Sequence, residues 1–73
     1  MKVVKIKEFK VTSAYITLGQ FLKEESIVSS GGQAKWYLRE NPVLLNGIKE
    51  NRRGKKLRPG DTLEIADETY ELR

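Results

Sequence analysis

The 73-residue chain contains no cysteine and no histidine. The first absence excludes a disulfide staple, a thiolate nucleophile and a thiolate metal site, and it fits a reducing compartment. The second removes the usual general base at neutral pH and the commonest metal ligand, leaving carboxylates, lysines and tyrosines for any chemistry. No cofactor, metal or catalytic residue is expected, and no base and nucleophile pair stands in the sequence to make an enzyme. Long apolar runs are missing too. The opening MKVVKIKEFK alternates lysine with apolar residues and lacks the roughly 7–15-residue apolar stretch of a signal peptide, so neither secretion nor a membrane span is expected. A cytoplasmic location is the default. Aromatics are few, at 8%. A domain of this length buries only about 60% of the surface its unfolded chain exposes, which leaves one modest core and no large substrate pocket.

Positive charge is what the chain has in quantity, and it is unevenly placed. Of a net +4, counting Lys and Arg against Asp and Glu gives +2 for residues 1–28, +6 for 29–60 and −4 for 61–73. The densest stretch is KENRRGKKLR, from Lys49 to Arg58, with six bases and one acid directly after an Asn46-Gly47 turn. Bases held between ordered strands present one fixed surface, the electrostatic footprint of a polyanion binder. A basic run is often only a solvated loop. The inequality between segments favours the binding face.

Local patterns predict a mixed fold. Val4, Ile6 and Phe9 or Val11 alternate with Lys5, Lys7 and Lys10, which reads as a strand. Thr17 and Gln20 have the spacing of a capping box, with Ile16 and Phe21 at the positions of a hydrophobic staple, so a helix should begin at Leu18 and bury Leu18, Phe21 and Leu22. Ser30 and Gln33 repeat the capping-box spacing ahead of a second helix that buries Ala34, Tyr37 and Leu38 and stops near Glu40, before Pro42. Neither helix is long enough to be stable alone, so both need a sheet to pack on. Asn46-Gly47 suits a type I′ hairpin turn, Arg58 to Asp61 is a second turn, and TLEIADETYEL makes one or two final strands. These signals give a single α+β domain over residues 1–73, with two short helices packed on a small, mainly antiparallel sheet.

In that order and spacing, ITLGQFLKEESIVSSGGQAKWYLRENPVLLNG followed by KLRPGDTLEI resembles the RNA-binding domain named after ribosomal small-subunit protein four, the alpha-L motif. The resemblance covers residues 16–65, with an N-terminal strand and a C-terminal strand as extensions. The whole chain is similar to the small stand-alone, YaaA-type bacterial members. A ubiquitin-like β-grasp competes for the same length, but two capping boxes fit two helices better than one. The resemblance implies an RNA face on the second helix and the hairpin after it: Ser29, Ser30, Gln33, Lys35, Trp36, Arg39, Asn46, Lys49, Arg52, Arg53, Lys55 and Lys56. It also implies a departure, since many members carry a basic residue near Ser30 or Gly31.

Physical chemistry grades those positions differently. Lys35 and Arg39 are four apart and share a solvent face. Arg52 and Arg53 can hold phosphate with paired hydrogen bonds, while Lys49, Lys55 and Lys56 act as point charges. Gly31 and Gly32 either admit a phosphate to the helix N-terminus or simply make a tight helix start. Trp36 either stacks on an unpaired base or packs over the sheet edge, and the small core favours packing. Asn46 is foremost a turn residue, Arg58 is a candidate partner for Asp61 or Glu50, and Tyr15 and Tyr70 are read as structural. Glu64, Asp67, Glu68 and Glu71 form a solvated acidic face that keeps RNA on the other side. The expected function is non-catalytic binding of structured RNA, ribosomal RNA on a subunit or tRNA, by a monomer. The alternatives are a DNA-associated factor or an adaptor for an acidic protein partner linked to replication and recombination.

Overall fold

Both helices begin where a hydroxyl side chain takes up a free backbone amide. The computed structural model describes residues 6–73, so Val3, Val4 and Lys5 of the expected first strand lie outside the described residues. Along the chain, β1 (Ile6–Phe9) and β2 (Ile16–Thr17) precede the helices α1 (Leu18–Glu24) and α2 (Gly31–Glu40). Five strands follow: β3 (Val43–Leu45), β4 (Ile48–Glu50), β5 (Lys56–Leu57), β6 (Thr62–Ile65) and β7 (Glu68–Leu72).

At α1 the capping box is complete: Thr17 Oγ1 accepts from the Gln20 amide at 3.2 Å, and Gln20 Oε1 accepts from the Thr17 amide at 3.0 Å. At α2 it is half formed. Ser30 Oγ accepts from the Gln33 amide at 3.2 Å, but Gln33 Oε1 accepts instead from the amide and hydroxyl of Ser29, at 2.8 and 2.6 Å. The Ser29 hydroxyl is a competing donor one residue upstream, and it draws the glutamine away from the cap. Helix α2 ends at Glu40, as Pro42 requires, with the Asn41 amide and side chain both donating to the Tyr37 carbonyl.

The main sheet runs β1-β7-β6-β3-β4 and is antiparallel except for the parallel β1–β7 pair, while β2 and β5 form a separate two-stranded ladder. Two turns set the registers. Asn46 and Gly47, at φ 52° and 83°, join β3 to β4, and Ala66 and Asp67, at φ 48° and 66°, join β6 to β7. Positive φ at both central residues gives the twist a two-residue hairpin needs. The buried residues of both helices and of the sheet form one cluster, with Phe21 at its centre, edge-on to Phe9 at 4.8 Å and to Tyr70 at 4.9 Å. Tyr70 is structural as expected: burial and the nearby Glu68 carboxylate push its phenol well above the usual range. No described helix is long and apolar enough to cross a membrane.

Candidate nucleic-acid interface

Chain direction alone would leave residues 51–55 as an open loop between β4 and β5, yet its backbone is tied down at both ends. Where β4 ends, Glu50 is nearly buried, its side chain 11% exposed, and its carboxylate accepts from the Asn51 and Arg52 amides at 3.1 Å each. The Arg52 guanidinium closes on both carboxylate oxygens at 3.0 Å. These donors, the Arg52 side chain foremost, lower the Glu50 pKa to about 2. At the other end, the Leu18 amide donates to the Lys55 carbonyl and the Gly19 amide to the Arg53 carbonyl, both at 2.8 Å. The loop thus supplies acceptors that the first turn of α1 would otherwise lack. Across to α2, Arg53 Nη1 donates to the Gly31 carbonyl at 3.0 Å. The most basic segment therefore bridges the N-terminal ends of both helices.

Among the described residues, Lys35, Arg39, Lys49, Arg53, Lys55, Lys56 and Arg58 form no ion pair. Three of these bases are set on the loop and β5, two on α2, one on β4 and one, Arg58, in the turn after β5. Arg52 differs, because Glu50 holds it. The pairing expected for Arg58 with Asp61 or Glu50 is not formed: Asp61 Oδ2 accepts from the Arg58 backbone amide at 2.9 Å, and Glu50 pairs with Arg52. Asn46 is a structural pin. Its Oδ1 accepts from the Thr62 amide at 2.9 Å and its Nδ2 donates to Asp61 Oδ1 at 3.1 Å, joining the hairpin turn to the Arg58–Asp61 turn.

Two aromatic rings depart from the sequence reading. Trp36 does not pack over the sheet edge; it is 62% exposed on α2, with the Arg39 guanidinium 5.4 Å from its ring centre. The core is filled without it, by Phe21 and the fully buried Leu18, Leu22, Leu38, Leu57, Leu63 and Leu72 of the helices and strands. Tyr15, read as structural for want of basic neighbours in sequence, is 40% exposed and carries Lys56 Nζ 4.8 Å from its ring centre. That neighbour is 41 positions away, and only the β2–β5 pairing of Thr17 with Lys56 brings it there. No sequence window contains that signal.

Several acids lie at the opposite edge of the main sheet from β4. β4 is one edge of the main sheet and β1 the other, with β7 beside it. On the β1–β7 side, Lys7 pairs with Glu68 at 3.1 Å and Arg73 with Glu8 at 2.8 Å, so part of the acidic charge is neutralised locally. The described residues contain no group of three or more Asp, Glu, His or Cys placed to hold a metal.

Comparison with known proteins shows the family. The chain is 53% identical over 55 residues to the probable ribosome maturation protein RlbA of Bacillus subtilis (strain 168), an alignment spanning 75% of this chain and 78% of that relative. The S4 domain family matches residues 9–73, a stretch that takes in both helices, the basic loop and all strands after β1. The chain belongs to the S4 domain family, the RNA-binding family that its helix and turn motifs resemble.

Proposed function

We propose that the protein is a non-catalytic RNA-binding module that grips the backbone and shape of structured ribosomal RNA during ribosome maturation. The observation that carries this reading is the bridge made by Arg53, which brings the basic loop against the N-terminal ends of α1 and α2. Helix N-termini attract anions through free amides and the positive end of the dipole, and a guanidinium beside them adds paired donors. The Gly31 and Gly32 amides precede the first intrahelical bond of α2, Ala34 to Ser30, and Arg53 Nη1 comes within 3.9 Å of where a Cβ on Gly31 would stand. A phosphate seated there meets Arg53 and the amides together. Lys35 and Arg39 extend the positive surface along α2, and Lys55 and Lys56 extend it along β5.

Because the narrow major groove of an RNA helix hides its bases, such a face reads backbone and shape. The ribosomal assignment is supported by the name of the Bacillus subtilis relative. The test is co-sedimentation with ribosomal subunits at low and high salt, beside a variant with Arg53, Lys55 and Lys56 changed to Ala. Salt-sensitive sedimentation that the variant loses is expected, since each neutralised phosphate adds to the salt dependence. Sedimentation unaffected by salt or by the variant would sink the proposal, as would capture of an acidic protein that survives nuclease treatment while subunits do not bind.

A further inference from the structure

We infer that Trp36 and Tyr15 are stacking platforms for unpaired bases, so that the basic face selects RNA carrying single-stranded nucleotides over continuous duplex. This deepens the RNA-binding reading and rests on it. The chain has six aromatic residues, one Trp, two Phe and three Tyr. Phe9, Phe21, Tyr37 and Tyr70 are built into the core or packed against it. Trp36 and Tyr15 are the two left exposed, at 62% and 40%, and both sit under a cation of the candidate face. Exposing its single tryptophan costs a small domain apolar burial that it has little reserve to lose.

The placement matches a chain of nucleotides. Tyr15 stands immediately before β2, against Lys56 on β5, and Trp36 stands on α2, a little over one turn beyond Gly31. Arg53, bonded to Gly31 and carried on the loop that leads into β5, links the helix that carries Trp36 to the strand whose Lys56 covers Tyr15. Beside Tyr15 is a surface hollow of about 240 Å³, with Lys10, Ser13 and Gln20 among its lining, so the ring borders open space that a base can enter. A paired, stacked base offers no free face to either ring, whereas an unpaired base does. Stacking on an aromatic side chain is sequence-tolerant and changes affinity by about five- to 150-fold for each base.

Trp36 is the only tryptophan, so its emission reports directly on its own contacts. The test titrates the protein at low salt with an RNA stem–loop and with a blunt RNA duplex of equal phosphate count. The stem–loop is expected to quench the emission and to bind at least about fivefold tighter than the duplex. Trp36→Leu and Tyr15→Leu should each remove at least about fivefold of stem–loop affinity and leave duplex affinity unchanged, while Tyr15→Phe keeps the ring and the binding. Arg53→Ala should weaken both RNAs alike. Equal binding of the two RNAs without quenching, or equal losses for both in the leucine variants, overturns the inference and leaves backbone binding standing. Failure of either RNA to bind folded protein overturns the inference and the proposed function together.

Discussion

The Gly19 amide donates to the Arg53 carbonyl across 2.8 Å, and a Cβ on Gly19 would lie 3.3 Å from that same oxygen. One residue therefore starts a helix and docks the basic loop. Its neighbour Leu18 does the same for Lys55, so two of the loop's bases are carried on backbone already bonded to α1. Ordering that loop is settled when the protein folds, and an RNA ligand is spared the entropy of doing so.

Replacing Gly19 by Ala tests this close approach. In an open helix position the change would stabilise by about 1 kcal/mol. Here the added methyl meets backbone oxygen at 3.3 Å and the Arg53 Cβ at 3.4 Å, and overpacking of that kind costs about 1–3 kcal/mol. A net loss of about 1 kcal/mol, a fall in Tm of roughly 4–8 °C, is expected by thermal unfolding. A rise in Tm would show that the loop gives way freely and is not held by α1.

Glu50 makes stability sensitive to acid. Its pKa is lowered from 4.5 to about 2 by Arg52 and the loop amides. A carboxyl whose folded pKa lies below its unfolded value stabilises the fold above the unfolded pKa and loses that contribution as pH falls toward the folded one. Glu50→Gln should therefore lower stability at pH 7, and the gap from the parent protein should close between about pH 4.5 and pH 2. Urea unfolding of both proteins across that range checks it. A gap independent of pH would mean that Glu50 acts through shape rather than charge.

Asn46 was grouped with the RNA-contacting residues by position, yet both ends of its amide are spent on the neighbouring turn. Asn46→Ala removes two hydrogen bonds and places alanine at φ 52°, a loss of about 1–2 kcal/mol. Tm should fall by several degrees. RNA affinity of the folded protein, measured well below Tm, should stay within about twofold, whereas a direct ligand would lose about tenfold or more.

The elements that the sequence predicts well are those set by contacts within a few residues. Thr17 with Gln20 fixes the start of α1, Asn46-Gly47 fixes the β3–β4 turn, and Pro42 limits α2, each because donor, acceptor or ring lies within four positions. The half-formed cap at α2 escaped because Ser29 and Ser30 compete for one glutamine, a contest between near-equal bonds. For the candidate site, the bases were visible as composition, but their division of labour was not. Arg52 is taken by an acid two residues away and Arg53 by a carbonyl 22 residues away. Tyr15 gained its cation through strand pairing alone.

The β6–β7 turn is not legible as a turn of its own, since Ala66 is not among the usual residues for positive φ and Asp67, which is, has no glycine beside it. At φ 48° and 66° these two positions are occupied at a steric cost that Asn-Gly would avoid. The double change Ala66→Asn with Asp67→Gly should stabilise by about 1 kcal/mol and raise Tm by roughly 4–8 °C. Calorimetry decides it, and an unchanged or lower Tm would mean that the hairpin register does not rest on this turn.

Arg53 offers the sharpest separation of charge from geometry. Nη1 is committed to the Gly31 carbonyl, leaving the remaining guanidinium donors to face a ligand from a fixed position. Arg53→Lys keeps the charge but loses the fork, so the slope of log K against log salt should stay the same while affinity falls at every salt concentration. Arg53→Ala should lower affinity and also flatten that slope, by about 0.7–0.9 for one lost phosphate contact. If Arg53→Lys behaves as the parent protein, the bridge to α2 is dispensable and Arg53 serves only as a point charge. If both variants leave affinity and slope unchanged, phosphate is held elsewhere on the face, and the convergence of loop and helix N-termini is architecture alone.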